Sequence, residues 1–583
     1  MKGSARHLAL PLAALAALMS WGAGCAGLPS PDAGRDERAL TVAIAVEEVP
    51  AEDAWRVWYS LGAPARGVEF LAPAAAFRHE RWGVAVARGE ASWEAEGGRE
   101  RLCFSRPAQS FSASFRTWAE GPPGGRALHL AFGGTGRLLY TGHLLVRPLA
   151  SCGAEAGPPE PAGDPAFRLT FQTTPERVIR VAGRTEAGAL RWQPVAPGEG
   201  AAATYAFFGE LEAVEGEAAT LILDPGLPPP LAAELAAAVP RLVERFGAET
   251  ATPLPSRPLV LVAWNGDADA APPFSAAALP GVLLATAAGP GWAEEGPEAR
   301  GGWFDPLARA LFQLWAGGVY PTEAESAWLA EAAAGHFAAQ AAVALGVEDE
   351  TEARRRLVER ANDCLVRLEG RELLAAAGAD SRAGSACGAV ALAAADGALR
   401  RGDPPSGLAA LFRRLFEHAA ATGGFGTAAF FGGLRELGAE PGAVGDVRRL
   451  IRGGAARGDL FLQTLLEHAG VATEPVPPGE ATADPETLRE AVRRAVGRCY
   501  CGTGEAASCE PAATGRELGA VAGEPVSADP LAAWERLRSA VARGGAIEVE
   551  LAGEEVTLFC PQDTFDPTWD SLLRLAGPGT QGA

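Results

Sequence analysis

Around residue 220 the hydrophobic pattern of this 583-residue chain changes period, and that change limits its fold more than any single motif. Before it, apolar and polar residues alternate in short runs such as RALTVAIAVEEV, DAWRVWYSL, WGVAVARG, SFSASFRTW and RLLYTGHLLV, separated by turn-formers such as GPPGG and GGTG. Period-two alternation between tight turns predicts antiparallel hairpins, so residues 38–218 are expected to form a β-sandwich. Beyond the change, TLILDPGLPPP, RPLVLVAWNGD and LPGVLLATAAG read as strands, and LAAELAAAVPRLVERFGAE reads as a helix. Helical periodicity dominates from about residue 305 to 420. The expected class is α+β and multidomain: the sandwich, an α+β core over 219–345, a helical domain over 346–473 and a small α+β module over 487–575. The stretches GAEAGPPEPAGDP (153–165) and EPVPPGEATADPE (474–486) have the composition of linkers.

Apolar residues make up 48% of the chain and charged residues 21%, enough to build packed cores. Net charge is −21 and Lys2 is the only lysine. A surface of that sign repels phosphate backbones, which argues against a nucleic-acid partner. Residues 1–25 carry a basic start, the apolar run LALPLAALAALM and small residues before Cys25, the layout of a secretory signal too short to span a membrane. The segment resembles a bacterial lipoprotein signal. That resemblance implies lipidation of Cys25, attachment to a membrane through the lipid, and a place in the cell envelope, with Ala26 pointing to an outer membrane. Gly22 stands where such signals usually carry leucine, so cleavage after Ala26 without lipidation is the alternative.

The remaining cysteines number eight: Cys103, Cys152, Cys364, Cys387, Cys499, Cys501, Cys509 and Cys560. An even count in an exported chain argues for disulfides. Clustering pairs Cys103 with Cys152 and Cys364 with Cys387, leaving two bridges or a four-thiolate zinc site among the last four.

Two neighbouring stretches bear on chemistry: LARALFQLWAGG (307–318) and WLAEAAAGHFAA (328–339). Together they resemble the zinc site of gluzincin metallopeptidases, in the aminopeptidase N-like and glycyl aminopeptidase-like branches. That family places two histidines four apart on one helix, so that both face one metal, with a glutamate general base beside the first and a third ligand on the next helix. Here Trp315 and Gly317 match the end of the first motif, Trp328, Leu329 and Glu331 match the second, and Gln313 to Glu331 keeps the family's step of eighteen. The residues that would touch metal or water do not match: Arg309 and Gln313 stand for the histidines and Ala310 for the base. Downstream, Gly388 and Asp396 match, whereas Ser385 replaces the tyrosine and Cys387 the lysine. Upstream, Gly281, Val282, Leu283 and Leu284 align loosely with the substrate-binding strand. Trp315 and Trp328 also read simply as core aromatics on an ordinary helix pair.

The resemblance implies a thermolysin-like core bearing a dismantled site, with no zinc cofactor and no confident catalytic residue. It leaves three expectations: a pseudopeptidase that binds a peptide or an envelope protein, a hydrolase with a relocated site, or a structural lipoprotein. Arg309 is expected to pair with Glu331 and fill the old cavity. No other metal arrangement is marked among His79, His129, His143, His336, His418 and His468. Glu331 and His336 are about 140° apart on a helix, and His418 and His468 read as surface or helix-end residues. Residues 517–559 resemble the second half of a PDZ domain, in which RCYCGTGEAASCEP replaces the loop that would bind a peptide carboxylate.

Overall fold

The computed structural model describes residues 41–576 except for several loop stretches, the longest being 117–128, 153–164, 195–201, 267–273, 502–517 and 560–571. The signal segment with Cys25, the linker at 153–164, Cys509 and Cys560 lie outside the described residues, as does the side chain of Cys501.

The first half is built from two facing sheets. One has eight strands, with a path through Ala189–Trp192, Ala166–Gln172, Thr41–Val49, Ala54–Phe70, Arg99–Arg116 and Gly83–Val86. The other has five, Arg184–Ala187, Val178–Val181, Tyr205–Gly209, Gly136–Tyr140 and His129–Phe132. Their inner faces share one apolar core, in which Phe208 meets Trp55 and Phe171 edge to face. One pairing departs from the expected hairpins: Thr41–Val49 runs parallel to Ala166–Gln172. Period-two patterning reports which side of a strand is dry and is blind to the direction of its neighbour. The short helix α1 (Phe77–Arg81) plugs one end, where the buried Arg78 guanidinium pairs with Glu100.

A third sheet orders its strands as Val214–Glu215, Thr220–Leu223, Leu259–Trp264, Val282–Ala287 and Phe274–Leu279, with the three middle ones parallel. Val214–Glu215 pairs with Thr220–Leu223, so the expected boundary at 218/219 cuts through a hairpin. Leu259, Leu261, Ala263, Val282 and Leu284 pack toward the sandwich, while Val260, Val262, Leu283, Ala285 and Ala287 pack toward helices. Both faces are covered, which explains the unbroken apolar runs LVLV and VLLA.

Helix α2 (Pro229–Thr250) covers that sheet together with α3 (Pro297–Gln313), and α4 (Ala327–Ala344) packs on α3. Helix α3 begins ten residues before the motif that suggested it and runs through Pro306. The helical block follows as α5 (Glu350–Leu368), α6 (Leu373–Ala379), α7 (Ser381–Arg400), α8 (Leu408–Thr422), α9 (Thr427–Glu436), α10 (Pro441–Arg452) and α11 (Gly458–His468). Then come α12 (Pro485–Val496) and α13 (Pro530–Ala542), the latter beside a five-stranded antiparallel sheet formed within residues 500–559. The last strand, Leu572–Leu575, leaves that module and pairs with Thr473–Val476. Its Leu573 amide and carbonyl are bracketed by the buried Asn362 side chain of α5. The stretch 474–486 is therefore no free linker; it begins as a strand and ends in the first turn of α12.

Two disulfides form as the clustering suggested. Cys103–Cys152 closes the sandwich edge, and Cys364–Cys387 joins α5 to α7. Cys499 is also disulfide-bonded, so a four-thiolate zinc site does not form in the C-terminal cluster.

Candidate functional site

Helices α3 and α4 are locked together before any polar group is considered. Phe312 stacks on Phe337 with ring centroids 4.3 Å apart, and Phe412 closes on both edge to face. Trp315 is buried, and its Nε1 donates to the Thr252 carbonyl at 2.7 Å. The chain turns back at Gly317, whose φ of 102° lies in the region only glycine adopts freely, and its amide bonds the Tyr320 carbonyl. Trp328 lies under α7, its Nε1 donating to Thr427 Oγ1 at 3.3 Å. A Cβ on Gly388 would come 2.6 Å from Ala332 Cβ, so Gly388 is the bare point at which α7 crosses α4. The residues framing the motif thus do packing work.

On this frame stand the substituted positions. Arg309 Nη2 donates to Ser385 Oγ at 2.9 Å, and Gln313 Nε2 donates to Glu331 Oε1 at 2.9 Å. The structure brings Arg309, Gln313, Glu331 and Ser385 together; Ala310 is buried in the apolar core. The expected Arg309–Glu331 pair is loose, 3.8 Å apart, with 45% of the Glu331 side chain exposed. Arg309 turns instead to Ser385, with its guanidinium over the bare backbone of Gly335, so it does not fill the space beside it.

That space is a cavity of about 440 Å³, lined by Arg309, Glu331, Arg360, Asp363, Arg367, Ser381, Arg382, Ser385, Asp484 and Glu486. Residues 360, 363 and 367 are one helical stripe of α5, Ser381 and Ser385 are one turn apart on α7, and Asp484 and Glu486 come from the start of α12. Asp484 accepts the Thr487 amide there, a helix N-cap contact. The lining holds four arginines and four acids, so its charges cancel. Arg367 ties Asp363 to Asp380 at 2.7 and 2.8 Å. Burial raises the Asp363 carboxyl above its ordinary range, with Arg367 opposing. At Glu486 burial is outweighed by Arg489, Arg493 and Arg382, which hold its carboxyl low.

Several positions singled out in the sequence lie elsewhere. Gly281 forms a turn packed against Ala182 of the sandwich, and Val282, Leu283 and Leu284 belong to an inner strand, none of them lining the cavity. Cys387 is committed to its disulfide. Asp396 accepts the Leu408 amide at 2.8 Å and pairs with Arg400, capping α8. His336 contacts Gln340, His418 is exposed on α8, and His468 ends α11 beside Asp446. Arg360, Asp363, Arg367, Asp484 and Glu486 also line the cavity, and no motif in the sequence marks them.

The donor set does not suit zinc. A guanidinium has no lone pair to give a metal, and a neutral amide oxygen such as that of Gln313 is a weak zinc ligand beside the usual imidazole, thiolate or carboxylate. Ala310 offers no base, and Glu331 is the one ordinary zinc ligand of the set. Among the described residues one cluster of metal-ligand type occurs, Glu94 with Cys103 and Cys152, and both of its sulfurs are bound in the disulfide.

No family model matches the chain, and no curated protein matches it. Solved structures do. An aminopeptidase N family protein from Idiomarina loihiensis superposes with a TM-score of 0.61 at 12% identity, over 92% of this chain and 98% of that one. Yeast LTA4 hydrolase gives a TM-score of 0.46 at 14% identity, over 72% of this chain and 68% of that one. An M1 zinc metallopeptidase from Deinococcus radiodurans gives 0.42 at 15%, over 72% and 94%. The structural neighbours are thus aminopeptidase N and M1 zinc metallopeptidase proteins, and the Idiomarina loihiensis protein shows the mixed α/β multidomain, peptidase-like fold of this chain.

Proposed function

We propose that this chain is a non-hydrolytic, peptidase-like protein that uses the cavity to hold a peptide or a segment of an envelope protein. The observation that carries the reading is the pair of contacts Arg309–Ser385 and Gln313–Glu331. Side chains at both former histidine positions are turned to neighbouring protein groups, and the position of the base is a buried alanine. Zinc hydrolysis needs an open metal position and a base beside the bound water.

Residues 1–25 resemble a lipoprotein signal, which supports a proposed location in the envelope, with the chain exported and a lipid on Cys25. No helix among the described residues is long and apolar enough to cross a membrane. The test is the metal content of the purified chain together with its cleavage of peptide substrates, with and without a chelator. Zinc far below one per chain and no cleavage agree with the proposal. Stoichiometric zinc with chelator-sensitive cleavage refutes it.

A further inference from the structure

The cavity's charges balance in number and not in pairing. Asp363 is engaged by Arg367 at 2.7 Å and by the Thr487 hydroxyl at 3.4 Å. Glu486 is engaged by Arg489 at 3.0 Å, Arg493 at 3.2 Å and Arg382 at 3.5 Å. Asp484 caps α12, and Glu331 accepts from Gln313. Arg309 has the Ser385 hydroxyl at 2.9 Å and a loose ion pair with Glu331 at 3.8 Å. Arg360 is left over: half-buried in the wall, it makes no hydrogen bond or ion pair with any described residue.

Burial pushes the Arg360 guanidinium below its ordinary range, and the like charge of Arg309 pushes it further, with Asp305, Asp363 and Asp484 opposing. A half-desolvated cation beside a second cation is a cost to the folded state unless something anionic satisfies both. A guanidinium offers its N–H groups as a planar fork that fits a carboxylate or phosphate through two parallel bonds.

We infer that the cavity is a site for a small ligand bearing one compact oxyanion, a carboxylate or a phosphate, held by Arg360 and Arg309 beside the Ser385 hydroxyl. This rests on the cavity being the binding site proposed above, and it names the chemistry bound there. The rest of the ligand is neutral or cationic, because Glu331, Asp363, Asp484 and Glu486 share the lining and repel a polyanion. A volume of about 440 Å³ suits a molecule of short-peptide size. The free carboxylate of a short peptide and a phosphate group are the two sources of that chemistry.

The test is calorimetric titration of the full chain with glycylglycine, glycylglycine amide and inorganic phosphate, alongside thermal melts of the ligand-free protein. The native chain should bind glycylglycine or phosphate and should ignore the amide. Whichever of the two binds more tightly identifies the source. Arg360→Gln should weaken binding about 10-fold or more, the loss of a charge-assisted pair. It should also raise the melting temperature of the ligand-free chain, because the variant removes an unsatisfied cation; a structural arginine would lower it. Arg360→Lys, which keeps the charge and loses the fork, should fall between. The inference is overturned if the native chain binds neither probe, if Arg360→Gln binds as the native chain does, or if Arg360→Gln melts lower. Metal content and cleavage, read on the same preparation, judge the non-hydrolytic proposal separately: a zinc-free chain that binds no probe keeps that proposal and loses the oxyanion site.

Discussion

The contact between Gly388 and Ala332 allows a worked prediction. In Gly388→Ala the new Cβ would sit 2.6 Å from Ala332 Cβ and 3.3 Å from Trp328 Cε3. Ordinary carbon–carbon contact is about 3.5–4.0 Å, so α7 must back away from α4 by about 1 Å. Neither Cβ has a rotamer to absorb the change, and the Cys364–Cys387 disulfide ties α7 to α5 one residue away. Overpacking of this kind costs about 1–3 kcal/mol, offset by about 1 kcal/mol of helix propensity gained over glycine. Ala332→Gly in the same chain removes the opposing Cβ and gives that propensity back. The double-mutant cycle therefore isolates the clash, and a coupling energy of about 1–3 kcal/mol is expected. Hydrogen exchange of the α4 and α7 amides reads it locally, which suits a chain of several domains better than one global transition. A coupling energy near zero would refute the packing account of Gly388.

Further outcomes follow from the same structure. Replacing Cys364 and Cys387 by serine opens a loop of 23 residues and should cost about 3 kcal/mol by the chain-entropy estimate, read as faster hydrogen exchange in α5 and α7. Burial lowers the His336 pKa below its ordinary 6.5, with Asp396 opposing and Arg400 reinforcing. The unfolded chain therefore takes up this proton more readily than the folded one. Its contribution to stability is full above the ordinary value and declines as pH falls through it, and His336→Gln should flatten that part of a pH–melting curve.

Much of this fold was legible because burial leaves a period in the chain. RALTVAIAVEEV, LVLVAW and the helical runs each carry the spacing of the surface they pack against, and the disulfides Cys103–Cys152 and Cys364–Cys387 join cysteines that are neighbours in the order of cysteines along the chain. The parallel pairing of Thr41–Val49 with Ala166–Gln172 was not legible, since no local pattern encodes a partner more than a hundred residues away. The candidate site divided in the same way. Arg309, Gln313 and Glu331 were marked by the resemblance to a zinc-peptidase motif, and the structure brings all three together. Arg360, Asp363 and Arg367 were not, because charges on an arginine-rich helix ordinarily face water. Here that stripe faces a cavity, because α7 and the start of α12 close over it. Asp484 and Glu486 lay in a stretch whose proline and glycine content suggested a linker, although Asp484 caps α12.

The measurement closest to the central claim is zinc per chain after equilibration with zinc and gel filtration, for the native protein and for Arg309→His with Gln313→His. In the double variant two imidazoles four apart on α3 would face Glu331, the side chain that Gln313 already reaches. The account predicts zinc far below one per native chain and about one in the variant, with no peptide cleavage by the native chain. One zinc per native chain, with peptide cleavage that a chelator abolishes, would contradict it.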